Sequence, residues 1–381
     1  MSERSERISR HSERSGGRSE RSGGRSVLEE RYRRWLRLLP ASYRAEREEE
    51  MVSAFMEGAQ PGRTGNDDQR PRFLEIASVA ALALRLRLGG PGSPPGSYLW
   101  GEAVRRAALL GLVFWTAIAG LYAGQAVLTY GISVDALPDG VMGIGDPGSP
   151  DRMRLVLADL TPLLWVAALG ALVRGRARTA KAAAIAALVV PYVLVPPFIL
   201  GWESAVRWAG SALPAVVTVL ALAIGFHRDA PPPRLPTRRA LLLLVLPIAV
   251  GLLLSLVVGV LGAATRAGTI SERLLIPVWM WVDTTGLACL SLLAVAVWCV
   301  TRRRTPGRPV APVALAAAIL TVPVALARAT TWPLGVADAT RLAATVQLAV
   351  LVASGITLVV IGVRALRVAD GGLTEVRGQP G

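Results

Sequence analysis

From about residue 106 to residue 366, long uncharged apolar runs alternate with short stretches that hold the arginines. One run, Ala240–Ala264, reads ALLLLVLPIAVGLLLSLVVGVLGAA, 25 residues without a charge, with Arg238 and Arg239 at its entry and Arg266 at its exit. A bilayer core of about 30 Å is crossed by about 20 apolar residues at 1.5 Å each, so this run can span with some tilt. The same pattern predicts eight spans, at about 106–129, 156–173, 182–200, 208–226, 240–263, 275–299, 310–327 and 343–363. The fold class is therefore all-α, a polytopic membrane helix bundle of about eight spans preceded by a small cytoplasmic helical module.

Ahead of the spans the pattern changes. Residues 1–26 are mostly Ser, Gly, Arg and Glu, with SERSGGR at Ser12–Arg18 repeated at Ser19–Arg25. Such a stretch cannot bury enough apolar area to offset chain entropy, so a disordered tail is expected. It has no apolar run of the kind a signal peptide needs. Residues 27–88 read as a three-helix module. Leu28, Tyr32, Trp35, Leu36 and Leu39 recur at helical spacing, Pro40 ends that helix, and Ser42 can cap the next. Leu28, Trp35, Leu36, Phe55 and Met56 are the expected core, and Phe73–Leu88 is the expected third helix. A Gly/Pro linker, 89–103, then leads to a membrane block over 104–367 and a cytoplasmic tail over 368–381.

The stretch Tyr32–Glu57, YRRWLRLLPASYRAEREEEMVSAFME, resembles the short amino-terminal helical prefix of many actinobacterial multi-span membrane proteins. The shared pattern is Y-R-R-x-L-R-L-L-P, then S-Y-R-x-E-R-x-E-E-M, then an apolar tail. The resemblance covers about residues 27–88 and implies an accessory or signalling role beside export-type transporters or small transcription regulators. It brings no catalytic residues with it.

Charge sets the expected orientation. The chain of 381 residues has 42 basic and 27 acidic side chains, a net charge of +15. In a soluble protein that balance would point to nucleic acid. Here most of the cations beyond residue 106 sit between spans. With the amino terminus inside, fifteen of them fall in inner loops and the tail, and seven in outer loops (Arg152, Arg154, Arg207, Arg266, Arg273, Arg328 and Arg341). The positive-inside rule then places both termini in the cytoplasm and the loop around Asp146 outside. An internal 4+4 repeat is also suggested. Arg105-Arg106-Ala107 is echoed by Arg238-Arg239-Ala240, Pro191 by Pro323, and Asp159-Leu160-Thr161-Pro162-Leu163 by Asp283-Thr284-Thr285-Gly286-Leu287.

The sequence carries no recognisable catalytic constellation. His11 lies in the tail and His227 at a span end, and there is no H-E-x-x-H or Walker loop. Cys289 and Cys299 share one span without a C-x-x-C spacing. The acids of the 131–151 loop lack calcium-loop spacing. No catalytic, cofactor or metal residue is therefore expected. The informative residues are two acids within spans, Asp159 and Asp283, each followed two positions later by a threonine, Thr161 and Thr285. An intramembrane carboxylate is costly and needs a cavity or a partner. One reading is a polar, protonatable site to which Gln125 and Gln347 add hydrogen bonds. The other is structural: Asp159 is interfacial and Asp283 pairs with Arg273, Arg328 or a backbone group.

The expected function is non-enzymatic, an accessory or signalling component of the plasma membrane acting through the cytoplasmic module. Its expected partners are the lipid bilayer and another membrane protein, such as a transporter subunit, or a cytoplasmic regulator, with no specific nucleic acid and no cofactor. The alternative is a secondary transporter using Asp159 and Asp283.

Overall fold

The computed structural model describes residues 29–58, 78–79, 82–83, 86, 88, 95–130, 150–195, 202–226, 236–269, 271, 278–302, 310–330 and 338–377. The tail 1–26, Leu28 and most of the 131–151 loop lie outside them. The chain divides into two compact units, Met1–Tyr98 and Leu99–Gly381.

In the first unit, α1 (29–36) and α2 (Ala41–Gly58) are joined through Pro40. Proline cannot continue a helix from within, so α1 stops and α2 starts afresh. Tyr32, Leu36 and Leu39 project from one side of α1 and are buried with Val52 of α2 and with Val79, Ala83 and Leu86. Those last three keep the i, i+4, i+7 spacing of a helix face; most of the expected third helix, Phe73–Leu88, lies outside the described residues. Tyr32 stacks on Phe55, ring centroids 4.0 Å apart. Phe55 and Met56 pack against the cluster. Trp35 does not join it and is 39% exposed. It is a correction with a simple cause: Trp35 lies 100° around the helix from Leu36, outside the stripe that Tyr32, Leu36 and Leu39 define. The aromatic that fills this core is Tyr32.

Arg33 ties α1 to α2. Its guanidinium donates to Glu49 at 2.8 and 3.1 Å and to Glu29 at 3.0 and 3.1 Å. The bond from Arg33 and its charge hold the Glu49 carboxyl below its usual range.

In the second unit most of the described residues are helical. Its helices are α3 (Pro95–Tyr130), which begins just before the unit boundary, α4 (Pro150–Leu160), α5 (Leu163–Val173), α6 (Ala177–Leu194), α7 (Trp202–Gly225), α8 (Thr237–Arg266), α9 (Thr284–Arg302), α10 (Val310–Thr330) and α11 (Asp338–Arg377). Seven helical stretches among the described residues are long and apolar enough to cross a membrane. The second of these, Val156–Val173, runs through the break between α4 and α5. The apolar part of α7, Ala209–Gly225, is shorter. At 1.5 Å per residue it reaches about 26 Å. Seven of the eight expected spans have such a stretch at or near their place and α7 supplies a shorter apolar stretch at the fourth, and the protein is a polytopic, all-α membrane bundle. Several boundaries differ: the third span is Ala177–Leu194 where 182–200 is expected, and the sixth starts at Thr284 where 275 is expected. Pro95 opens α3 inside the expected linker, as proline does at a first helical position, and α11 runs on to Arg377.

The bundle is arranged around α10, the most enclosed span, which packs on α7, α9 and α11. On the other side α5 packs on α6 and α8, and α6 on α4 and α7. Lipid offers no hydrophobic drive for helix association, so close backbone approach matters. α3 and α8 achieve it through Gly120 and Gly124 against Gly251 and Ser255, small residues four apart on both helices. A Cβ on Gly251 would collide with the Ala117 carbonyl and the Leu121 amide. At the far end of α7, Arg105 Nε and Lys181 Nζ donate to the carbonyls of Gly225 and Ala223 at 3.1 and 3.0 Å. Cations there satisfy orphan carbonyls and complement the helix dipole.

The module predicts two contrasts. Leu36→Ala should cost about 2–5 kcal/mol and raise amide exchange across residues 29–58 of the full chain, whereas Trp35→Ala should leave that exchange nearly unchanged. A depressed carboxyl pKa gives stability that is present above the unfolded value and lost as pH falls through the folded one. Exchange between α1 and α2, taken relative to the intrinsic amide rate at each pH, should therefore be flat from pH 8 to pH 6 and rise below the unfolded glutamate value of about 4.5. Glu49→Gln should remove that acid-induced rise. In the bundle, Gly251→Leu should force α3 from α8 and lower the melting temperature in detergent far more than Leu252→Ala, a change at an exposed position.

Candidate functional site

The one charged side chain deep in the bundle core among the described residues is Arg328, 3% exposed. It had the look of an outer-loop cation, but it lies two residues inside the end of α10. Its Nη1 donates to Asp283 Oδ2 at 3.1 Å. Of the partners open to Asp283 by sequence, Arg328 and a backbone amide are both used.

The local chain explains why Asp283 stands here. Residues 278–282 form a helical turn, the chain bends at Asp283, and α9 starts at Thr284. Asp283 is the N-cap: its Oδ1 accepts the Gly286 amide at 2.5 Å. A continuous helix would give that N–H to the Val282 carbonyl, so the carboxylate competes with the helix and bends it. The bend also needs Gly286. A Cβ there would collide with the Met280 carbonyl and the Trp281 backbone.

A break inside a bilayer exposes backbone groups where water is scarce. Gln347, fully buried on α11, meets one of them: its Nε2 donates to the Met280 carbonyl at 2.7 Å. The backbone carbonyl of Gln347 accepts a weak bond from Cys289 Sγ at 3.7 Å. Gln347 Oε1 is buried with no hydrogen-bond partner among the described residues. Tyr122 on α3 reaches the first residue of α9, its Oη 3.2 Å from Thr284 Oγ1. Four spans thus converge on one helix start.

Both charges suit their positions. Asp283 sits at the positive N-terminal end of α9 and Arg328 near the negative C-terminal end of α10. Burial is uneven, with side-chain exposures of 41% for Asp283 and 4% for Arg328. The arrangement binds α9 to α10 by a charge-assisted bond and to α11 by an amide bond.

The other residues of the expected site stand elsewhere or contribute less. Asp159 is half-buried in α4, which packs on α6, while α9 packs on α10 and α11. The two acids are therefore carried by elements with different packing neighbours. Thr161 is buried at the break between α4 and α5, where its hydroxyl bonds the Ala158 carbonyl at 2.6 Å. Thr285 is half-buried in the first turn of α9. What the two stretches share is a helix break, at Thr161-Pro162 in one and at Asp283 in the other. Tyr122 and the Met280 carbonyl have no signal in the sequence pattern. Gly286 had one, a glycine three residues after an acid at a span entrance.

The uneven burial predicts uneven mutants. Asp283→Ala removes the cap and leaves a buried guanidinium without its counter-ion, so it should cost about 3–5 kcal/mol. Arg328→Met leaves a half-exposed carboxylate and should cost clearly less. Asp283→Ser, which keeps a cap acceptor, should fall between them. Thermal unfolding in a single detergent, followed by size-exclusion chromatography, ranks the three.

Set beside known proteins, the chain matches no family model, no curated protein and no solved structure, so its function is argued from its own residues.

Proposed function

We propose that this membrane protein is a non-enzymatic accessory or signalling component that works through its amino-terminal helical module, with both termini in the cytoplasm. The observation that carries the reading is the commitment of Asp283. Both its oxygens are engaged, one by Arg328 and one by the Gly286 amide. A carboxylate that caps a helix and neutralises a buried arginine is a poor carrier of exchanging protons or cations. The module supports the reading from the other side, because it closes a core of its own around Tyr32, Leu36 and Val52. Its resemblance to helical prefixes of multi-span proteins points the same way. A partner membrane protein or a cytoplasmic regulator would then be recognised by the module while the spans anchor it.

A secondary transporter remains the second reading, on one specific observation. Two spans are broken beside an acid, at Thr161-Pro162 and at Asp283, and discontinuous helices are a feature of transporter sites.

Three measurements test the proposal. A cysteine at Ser149 should react with an impermeant maleimide in intact cells and one at Ser19 should not; the reverse labelling would overturn the orientation. Crosslinking in native membranes should recover the same partner with wild type and Asp283→Asn but not with Leu36→Asp, which breaks the module core. Proteoliposomes should show no pH-driven flux across a panel of ions and amphiphiles. Flux that Asp283→Asn abolishes would establish the transporter instead.

A further inference from the structure

The exposed surface of α1 has a composition of its own. Tyr32, Leu36 and Leu39 point inward. Arg34, Trp35, Arg37 and Leu38 are all exposed, Trp35 just beside the core stripe, and Arg31 is half-buried. Trp35 and Leu38 are each 39% exposed, large apolar groups placed among guanidinium groups. Glu30 is the one exposed acid of α1, beside the exposed Arg34 and Arg37. Arg33, by contrast, is turned toward Glu29, Glu48 and Glu49 and is neutralised there. Glu29, Glu48 and Glu49 are thus engaged by Arg33, and the exposed residues of α1 around Arg34, Trp35 and Arg37 are basic and aromatic.

We propose that this face docks on the surface of an anionic bilayer. Tryptophan and leucine beside arginine suit the headgroup boundary, where the ring and the aliphatic chain enter and the guanidinium groups meet lipid phosphates. The charge selects the occupant, since each arginine near an anionic leaflet is worth about a fivefold change in binding. The spans supply the proximity. A chain already fixed in the membrane holds its amino-terminal unit at high local concentration to that surface. Docking would hide Trp35 and Leu38 and release would bare them, so the lipid charge would control how the module is presented. The inference stands apart from the accessory role and concerns only the module and the lipid.

The test uses the full chain in nanodiscs, with Leu38→Cys carrying a bimane in place of the leucine. The two native thiols are buried, and the wild-type chain serves as the labelling blank. Brominated lipids should quench the bimane in discs containing phosphatidylglycerol and not in discs of phosphatidylcholine alone. The quenching should disappear in 1 M salt, where screening shortens to about 3 Å. Arg34→Gln with Arg37→Gln should lower the docked-to-free ratio about thirtyfold and return quenching to the phosphatidylcholine level, while Glu30→Gln should increase it. Amide exchange at Leu36 and Val52 confirms in each case that the module stays folded. Absence of quenching in anionic discs with that protection retained overturns the proposal, as does equal quenching in both lipids. A nanodisc presents the same lipids on both faces, so neither result depends on the orientation of the chain in the cell.

Discussion

A helix interrupted within a bilayer leaves amides and carbonyls that water cannot reach, and each must find a partner in the protein. That constraint organises the membrane unit. At the start of α9 the Gly286 amide goes to Asp283, the Met280 carbonyl to Gln347, and the remaining carboxylate oxygen to Arg328. The partners come from α10 and α11, so satisfying one break fixes three helices together. The charges would be expensive singly. They are tolerable because each sits at the helix end whose dipole favours it and because they face one another.

The seam between α3 and α8 is made without charge. Gly120 and Gly124 on α3 meet Gly251 and Ser255 on α8, and the backbones approach until a single added Cβ would collide. α8 needs no polar contact to be placed, and its remaining surface is leucine and valine facing outward, among them Leu242, Leu246 and Leu253. The bundle thus pairs a polar clamp around α9 and α10 with a close-packed seam between α3 and α8.

Much of this was legible in the sequence because it depends on hydropathy and spacing. The spans were, since twenty uncharged residues can mean little else, and so was the need of Asp283 for a cavity or a partner, with Arg273, Arg328 and a backbone group all open as that partner. The small residues four apart in α3 and α8 were a readable signal too, although alanine-rich spans offer many small residues and the sequence does not say which helices cross. Trp35 was misplaced because it shares the helical spacing of Tyr32, Leu36 and Leu39, whereas the core buries those three and leaves Trp35 at the edge of their stripe. The role of Gln347 could not be read beyond its polarity. Its partner is a carbonyl bared by a break 67 residues away, and nothing in local spacing marks such a pairing.

The account stands on Asp283 and Arg328 acting as one structural unit. The direct measurement is a double-mutant cycle with Asp283→Asn and Arg328→Gln, read by chemical unfolding of the full chain in nanodiscs at pH 7. Coupling of about 1.5 kcal/mol or more, as measured for close charge pairs elsewhere, with the double variant more stable than the sum of the single losses would imply, is the predicted result. Losses that add to within about 0.5 kcal/mol would mean that the two side chains do not depend on one another, and would contradict it.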